Sequence, residues 1–250
     1  ISYHMVEETC RVLKDFAYIM KTYQVSEYRA YATTAMREAK NSQIVLEQIR
    51  VRTGIQVKIL SNSEQRFIRY KAIAAKASEF QKTIQKGTAI VDVGFGSMQA
   101  SVFDKDSPIS TQNLPLGVLK LRQILTHVKL SAQAEQSLVM ELIDNELLTF
   151  RKMYLKDREI KHLIAIGDPI LTMYYKLNGL ARSDRLTAEK FNSFFEWMRT
   201  KTRAQLEDAF DVNGEYASMM FPTVAIYKRM LEVTGAEILW VPGIRMADGT

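Results

Sequence analysis

The sequence predicts a mixed α/β fold in two sections, and three observations predict it. Between residues 88 and 114, three short strand-like runs follow one another across tight turns. After them, helical patterns alternate with two isolated apolar runs, near 162–166 and 237–241. Before them, residues 5–72 already alternate helix and strand. That order describes a mixed sheet packed by helices.

The elements follow in chain order. Val6, Leu13, Phe16, Ala17 and Met20 recur at helical spacing over 5–22. Residues 28–33, YRAYAT, are compact and rich in strand formers. Asn41 is placed to cap a helix running to Arg52, and Gly54 stands where a C-terminal glycine belongs. Residues 55–60 alternate as a strand. Ser61-Asn62-Ser63-Glu64 then fits a capping box for a basic helix into the 70s.

The second section begins near Gly87. Strands are expected over 88–93, 99–103 and 109–114, and helices over 117–128 and 132–152. A strand over 162–166 ends at Gly167. Further helices are expected over 169–178, 187–200, 202–210 and 215–234, with Leu186-Thr187-Ala188-Glu189 as the start signal of the second. A last strand over 237–241 stops at Pro242-Gly243. There is no solenoid-type repeat and no low-complexity segment.

The bulk numbers fit this. The chain has 250 residues, 47% hydrophobic and 25% charged, enough for a substantial core. No apolar stretch approaches the roughly 18 residues that would argue for a membrane helix. The start, ISYHMVEETCRV, has no apolar signal-peptide core. A single cysteine, Cys10, excludes an internal disulfide and a cysteine metal cluster, and suits a reducing cytoplasm. His4, His127 and His162 are too scattered to suggest a metal site. Cys10, Trp197, Trp240 and the methionines read as core rather than site.

The net charge of +6 is unevenly placed. From Arg50 to Lys86, nine basic residues face only Glu64 and Glu79. Such an excess concentrates anions. Phosphate-rich small molecules, polyphosphate and nucleic acid are candidates; a solvated helix face is the plainer reading.

The stretch VDVGFGSMQ, 91–99, sharpens this. It joins an apolar run and Asp92 to Gly94, Gly96 and Ser97, as a phosphate-binding turn would. Phe95 stands where an anion cradle would prefer glycine, and Gln99 where a carboxylate would be useful. From these residues alone, a working loop, a relic and a plain β-turn are all open.

Neighbouring motifs decide among them. ATTAMREAKN (32–41) resembles A-T-S-A-x-R-x-A-x-N, and TGIQVKILSNSE (53–64) resembles T-G-I-x-V-x-(I/L)-(I/L)-S-G-x-E. VDVGFGSMQ resembles I-D-I-G-G-G-S-T-E; LPLG (114–117) and MADG (246–249) follow in the same order. In these motifs the chain resembles the exopolyphosphatase and guanosine pentaphosphate phosphohydrolase (Ppx/GppA) family, of the actin and sugar-kinase superfamily. The resemblance implies a two-lobed actin-like ATPase (ribonuclease H-like) fold, with 1–72 as a partial first lobe and 73–250 as a complete second lobe. The first lobe lacks the leading strands of such a set, so either three strands precede residue 1 or the lobe is a reduced one.

The resemblance also implies chemistry. A phosphate chain would lie between the lobes, gripped by glycine-rich turns, with Arg37, Gly94, Gly96, Ser97, Gly117 and Gly167 as phosphate-binding positions. Asp92 would hold Mg²⁺, and catalytic carboxylates would fall at Glu64, at position 65 and at position 99. The ligand would be polyphosphate or a guanosine penta- or tetraphosphate-like anion. The expected protein is cytoplasmic, with no membrane and no specific nucleic-acid partner, and a homodimer is open.

The departures from the pattern bear on activity. Gln65 and Gln99 replace glutamates that do chemistry. An amide carries no charge, cannot accept a proton near neutral pH, and binds a hard cation poorly. Phe95 replaces a glycine, Pro169 brings no N–H to the second phosphate loop, and Asp168 adds negative charge there. The arginine of the terminal motif is Ala247. The favoured reading is a phosphatase-like protein that is inactive or very weak. An active phosphohydrolase, a non-catalytic module for a phosphorylated ligand or a protein partner, and a structural domain with a filled cleft remain the alternatives.

Overall fold

The computed structural model describes residues 1–126, 128, 130–156 and 158–250, with the side chain of Ala77 also left aside. His127, at the expected end of the helix over 117–128, lies outside the described residues, as do Lys129 and Asp157. The chain forms two compact units, Ile1–Ile68 with Thr250, and Arg69–Gly249.

The first unit packs helices α1 (Tyr3–Thr22) and α3 (Ser42–Thr53) beside a two-stranded parallel sheet of β1 (Ala30–Ala32) and β2 (Val57–Ile59). The short α2 (Thr34–Arg37) follows β1, and α4 (Asn62–Ala74) begins in this unit and ends in the second. Ser2 caps α1 by accepting the Met5 N–H. Gly54 closes α3 at φ +73°, where a side chain would be strained. Val6, Cys10, Val45 and Ile49 form the small core. Cys10 is thus buried.

The second unit carries a six-stranded sheet. After α5 (Ala77–Ile84) come β3 (Thr88–Val93), β4 (Met98–Asp104) and β5 (Ser107–Leu114), an antiparallel meander. Helices α6 (Val118–Thr126) and α7 (Ala132–Phe150) follow, the latter running on into a π-turn at Arg151–Leu155. Then come β6 (His162–Ile166), α8 (Asp168–Leu171), α9 (Tyr174–Ala181), β7 (Arg185–Thr187), α10 (Ala188–Arg199), α11 (Arg203–Phe210), α12 (Gly214–Thr234) and β8 (Ile238–Trp240). The strand order is β5-β4-β3-β6-β8-β7, with β3, β6 and β8 parallel.

Strand periodicity sorts the side chains onto two faces. Ala89, Val91, Val93, Met98, Ala100, Val102, Leu163 and Ala165 enter one core, together with residues of α6, α7 and α12. Ile90, Phe103, Ile164, Ile166 and Trp240 enter the other, against Ala72, Ile73, Phe80 and Ile84. Asp92 and Gln99 therefore share the second face, the one covered by the end of α4 and by α5. Trp240 and six of the twelve methionines are core, while Met5 and Met153 are exposed.

Several elements differ from the sequence expectation. The basic helix breaks after Ala74 and restarts at Ala77. The helix expected over 169–178 is two short ones, because Pro169 starts α8 and the chain turns at Met173. The three-residue edge strand β7 was hidden by its brevity. Among the described residues, no helix is long and apolar enough to cross a membrane.

Candidate phosphate site

The turn between β3 and β4 is a tight hairpin in which the Gly94 N–H donates to the Ser97 carbonyl at 2.9 Å. It sits at the C-terminal ends of the parallel strands β3 and β6, where open α/β sheets place ligands. Gly117 lies against it so closely that a Cβ would collide with the backbone of Phe95 and Gly96. The first N–H groups of α6 are used here: Val118 donates to Gly94 O at 3.2 Å and Leu119 to Phe95 O at 2.9 Å. Gly117 thus serves the close approach of turn and helix.

Gly167, directly after β6, has φ +127°, and a Cβ there would strike the Val93 carbonyl. Only glycine suits both demands. Phe95 does not point into open space. Its ring meets Tyr216 edge-on, with centroids 6.2 Å apart, in a small space lined also by Pro169, Met219 and Met220. The ring packs where the family pattern has only a hydrogen.

The charge at this end of the sheet is held by a residue that sequence reasoning assigned to a solvated basic helix. Arg69 is 2% exposed. Its Nε lies 2.8 Å from Asp92 Oδ2, an ionic contact rather than an aligned hydrogen bond. Its Nη2 donates to Asp168 Oδ2 at 3.1 Å. Helical spacing explains the burial, since Arg69 lies three and four residues before the buried Ala72 and Ile73, on the same helix face. That spacing was the available signal. Asp168, which seemed only to repel an anion, is the second partner.

The electrostatics follow from burial. Burial pushes the Asp92 carboxyl above its usual range, while Arg69 pulls it down. Burial also lowers the Arg69 pKa, but Asp92 and Asp168 more than offset this and the group ends raised. A guanidinium does not surrender its proton in a protein. Nearby, the Tyr227 hydroxyl of α12 donates to Ile166 O at 2.6 Å, and burial lifts its pKa well above the ordinary tyrosine value.

The divalent metal implied at Asp92 can be tested against these donors. A hard cation needs several oxygen ligands. Asp92 faces a guanidinium instead, and its opposite neighbour in the β3–β4 register is the amide Gln99. Among the described residues, no group of three or more His, Cys, Asp and Glu side chains comes together. The residues present do not fit a metal.

In the first unit, Glu64 and Arg37 are engaged locally. Glu64 completes the capping box: the Ser61 N–H donates to its Oε2 at 2.9 Å, and the Glu64 N–H donates to Ser61 Oγ at 3.2 Å. Its other oxygen takes Lys58 at 2.6 Å. Lys58 first, then Ser61, hold the Glu64 carboxyl down at about 2. Arg37 donates to Leu60 O at 2.6 Å and to Thr34 Oγ1 at 3.0 Å, bracing α2 against the chain after β2. Gln65 is buried, with its Oε1 unpartnered. Of the nine basic residues between Arg50 and Lys86, Arg50, Arg52, Lys58 and Arg69 are in ion pairs. The anion-attracting excess is smaller than composition suggested.

Comparison with known proteins agrees with the motifs. The family model for the Ppx/GppA phosphatase family matches residues 1–240. Exopolyphosphatase 1 of Mycobacterium tuberculosis (strain ATCC 25618 / H37Rv) is 28% identical over 109 residues, covering 44% of this chain and 30% of that protein. Exopolyphosphatase 1 of Mycobacterium leprae is 24% identical over 147 residues, covering 59% of this chain and 42% of that protein. The matched part thus spans less than half the length of these curated relatives. Among solved structures, an Aquifex aeolicus Ppx/GppA family member superposes with TM-score 0.73 at 20% identity, over 100% of this chain and 80% of that one. An exopolyphosphatase from Cytophaga hutchinsonii superposes with TM-score 0.80 at 15% identity, over 100% and 81%. The fold is the actin-like α/β fold of these proteins.

Proposed function

This chain belongs to the Ppx/GppA phosphatase family, and on that premise we propose that it is a phosphatase-like protein that binds a polyphosphate- or guanosine pentaphosphate-type anion and hydrolyses it very slowly or not at all. One observation carries the reading. Gln99 is paired with Asp92 across β3 and β4, buried on the same sheet face, where the family pattern has a glutamate. Phosphoryl transfer of this kind depends on a positioned water and on charge neutralisation. An amide can orient a water but cannot take its proton. Gln65 carries the same replacement in the first unit.

The local chemistry supports the same reading. Arg37, Glu64 and the Gly94 N–H are engaged within the chain. Phe95 fills with apolar packing a position where the family turn admits a close phosphate. What this chain offers a ligand is its net charge of +6 and the shape of the turn.

The test is phosphate release from long-chain polyphosphate and from guanosine pentaphosphate, beside calorimetric binding of both. Release is expected to fall about 10²- to 10⁴-fold below an active family member, the contribution of a missing general base. Turnover equal to such a member overturns the weak-enzyme reading. Absence of binding to either anion overturns the ligand.

A further inference from the structure

We propose that Arg69 is the resident cation of this site: its guanidinium, clamped between Asp92 and Asp168, stands where the family pattern puts a divalent metal, so that the fold and any phosphate-type ligand binding here are independent of Mg²⁺. The inference rests on the reading above in one respect, that the β3–β4 turn is the ligand-facing turn.

Three observations carry it. First, one side chain joins carboxylates from two elements. Asp92 is near the end of β3 and Asp168 directly follows Gly167 after β6, and both reach the Arg69 guanidinium, at 2.8 and 3.1 Å. Second, the Arg69–Asp92 half of the clamp is interior, while Asp168 is 45% exposed. Arg69 and Asp92 side chains are 2% and 7% exposed, and Arg69 comes from a helix whose neighbours Ala72 and Ile73 are core. Arg69 is therefore built into the packing and is not a surface charge that swings in and out. Third, the residue opposite Asp92 in the sheet is an amide, so no second charged oxygen faces a cation across the hairpin.

The physical consequence is competition for one place. A divalent cation on Asp92 would have to displace the guanidinium and recruit several further oxygen ligands. Displacement would leave a buried charge without its closest partner. Arginine suits the role because its planar fork can meet two carboxylates at once and keeps its proton under all ordinary conditions. The site gains a fixed single positive charge and loses the adjustable double charge of a metal.

The experiment uses the chain as it is. Mn²⁺ is titrated into the protein and into Asp92→Asn, with bound metal read by electron paramagnetic resonance. Melting temperatures are measured in EDTA and in Mg²⁺, and polyphosphate binding is measured by calorimetry under both conditions. The two proteins are expected to take up Mn²⁺ identically, the melting temperature to be the same in EDTA and Mg²⁺, and any polyphosphate binding to persist in EDTA. Arg69→Met is expected to melt lower in EDTA and to regain part of the loss in Mn²⁺. Should Arg69→Met not fold, Arg69→Met/Asp92→Asn removes the buried pair together and is expected to fold with no response to metal. Stoichiometric Mn²⁺ binding that Asp92→Asn abolishes overturns the proposal, as does polyphosphate binding that requires Mg²⁺. Absence of polyphosphate binding under both conditions overturns the ligand reading instead, and the Mn²⁺ titration still decides the role of Arg69.

Discussion

Asp92 and Gln99 are directly paired across β3 and β4, and both leave the sheet on the face that carries Arg69. The chain thus sets one carboxylate, one guanidinium and one amide where the family pattern sets two carboxylates. Arg69 offsets the Asp92 charge, which suits burial, and an amide opposite it does not suit acid–base work.

Gln99→Glu is expected to destabilise the fold. It places a second carboxylate opposite Asp92, and like charges directly across a strand pair repel. With one guanidinium to serve both, the loss should be about 1–3 kcal/mol, read from the denaturation midpoint. The new carboxyl should titrate above the usual glutamate range. A variant as stable as the parent at neutral pH would show that the face is better hydrated than its burial indicates.

The Arg69–Asp92 pair should show strong coupling in a double-mutant cycle. Arg69→Met alone leaves a buried carboxylate and should cost about 3–5 kcal/mol. Arg69→Met with Asp92→Asn should cost less than the two single changes together, by about 0.5–3 kcal/mol. Asp168→Asn, whose side chain is 45% exposed, should cost much less than either. Additive effects would mean that the two groups do not interact.

Gly167→Ala should lower stability by more than a surface change can. The backbone at φ +127° and the Val93 carbonyl both oppose a Cβ. Strain of this kind is worth about 1–3 kcal/mol, and the clash adds to it. Gly179→Ala, where a Cβ meets nothing within 4 Å, is the control. Equal melting temperatures for the two would contradict the close approach of β6 to β3.

Glu64 should titrate at about 2, followed by side-chain carboxyl NMR. Because its folded value is depressed, any stability it lends is present above the ordinary glutamate range and is lost as pH falls through about 2. Lys58→Met removes the largest cause and should move the value up. An unchanged titration in that variant would assign the depression to Ser61 alone.

Much of the fold was legible because the relevant signals are local. The buried strands β3 and β6 stand out as short, largely apolar runs between turn signals, and their observed bounds match the expected ones. The helix starts at Ser131, Thr187, Thr202 and Asn213 use side chains that accept the expected backbone N–H. The capping box at Ser61 and Glu64 was legible for the same reason. The site was legible only as motifs. Arg69 lies in a run of basic residues, and composition there suggests a wet helix face. Helical spacing with Ala72 and Ile73 turns it inward, and its two partners, Asp92 on β3 and Asp168 on α8, come from distant parts of the chain. β7 escaped notice because three residues carry no period, and its pairing with β8 is what makes it a strand.

The turn at Gly94 and Phe95 already receives the Val118 and Leu119 N–H groups of α6. The turn is, in effect, a ligand that the chain supplies to itself. An oxyanion seeking those same donors can win them only while the turn is released, and its apparent affinity is the intrinsic one scaled by the fraction of time spent released. At high ligand concentration, association at those donors would then level off at the rate of that release.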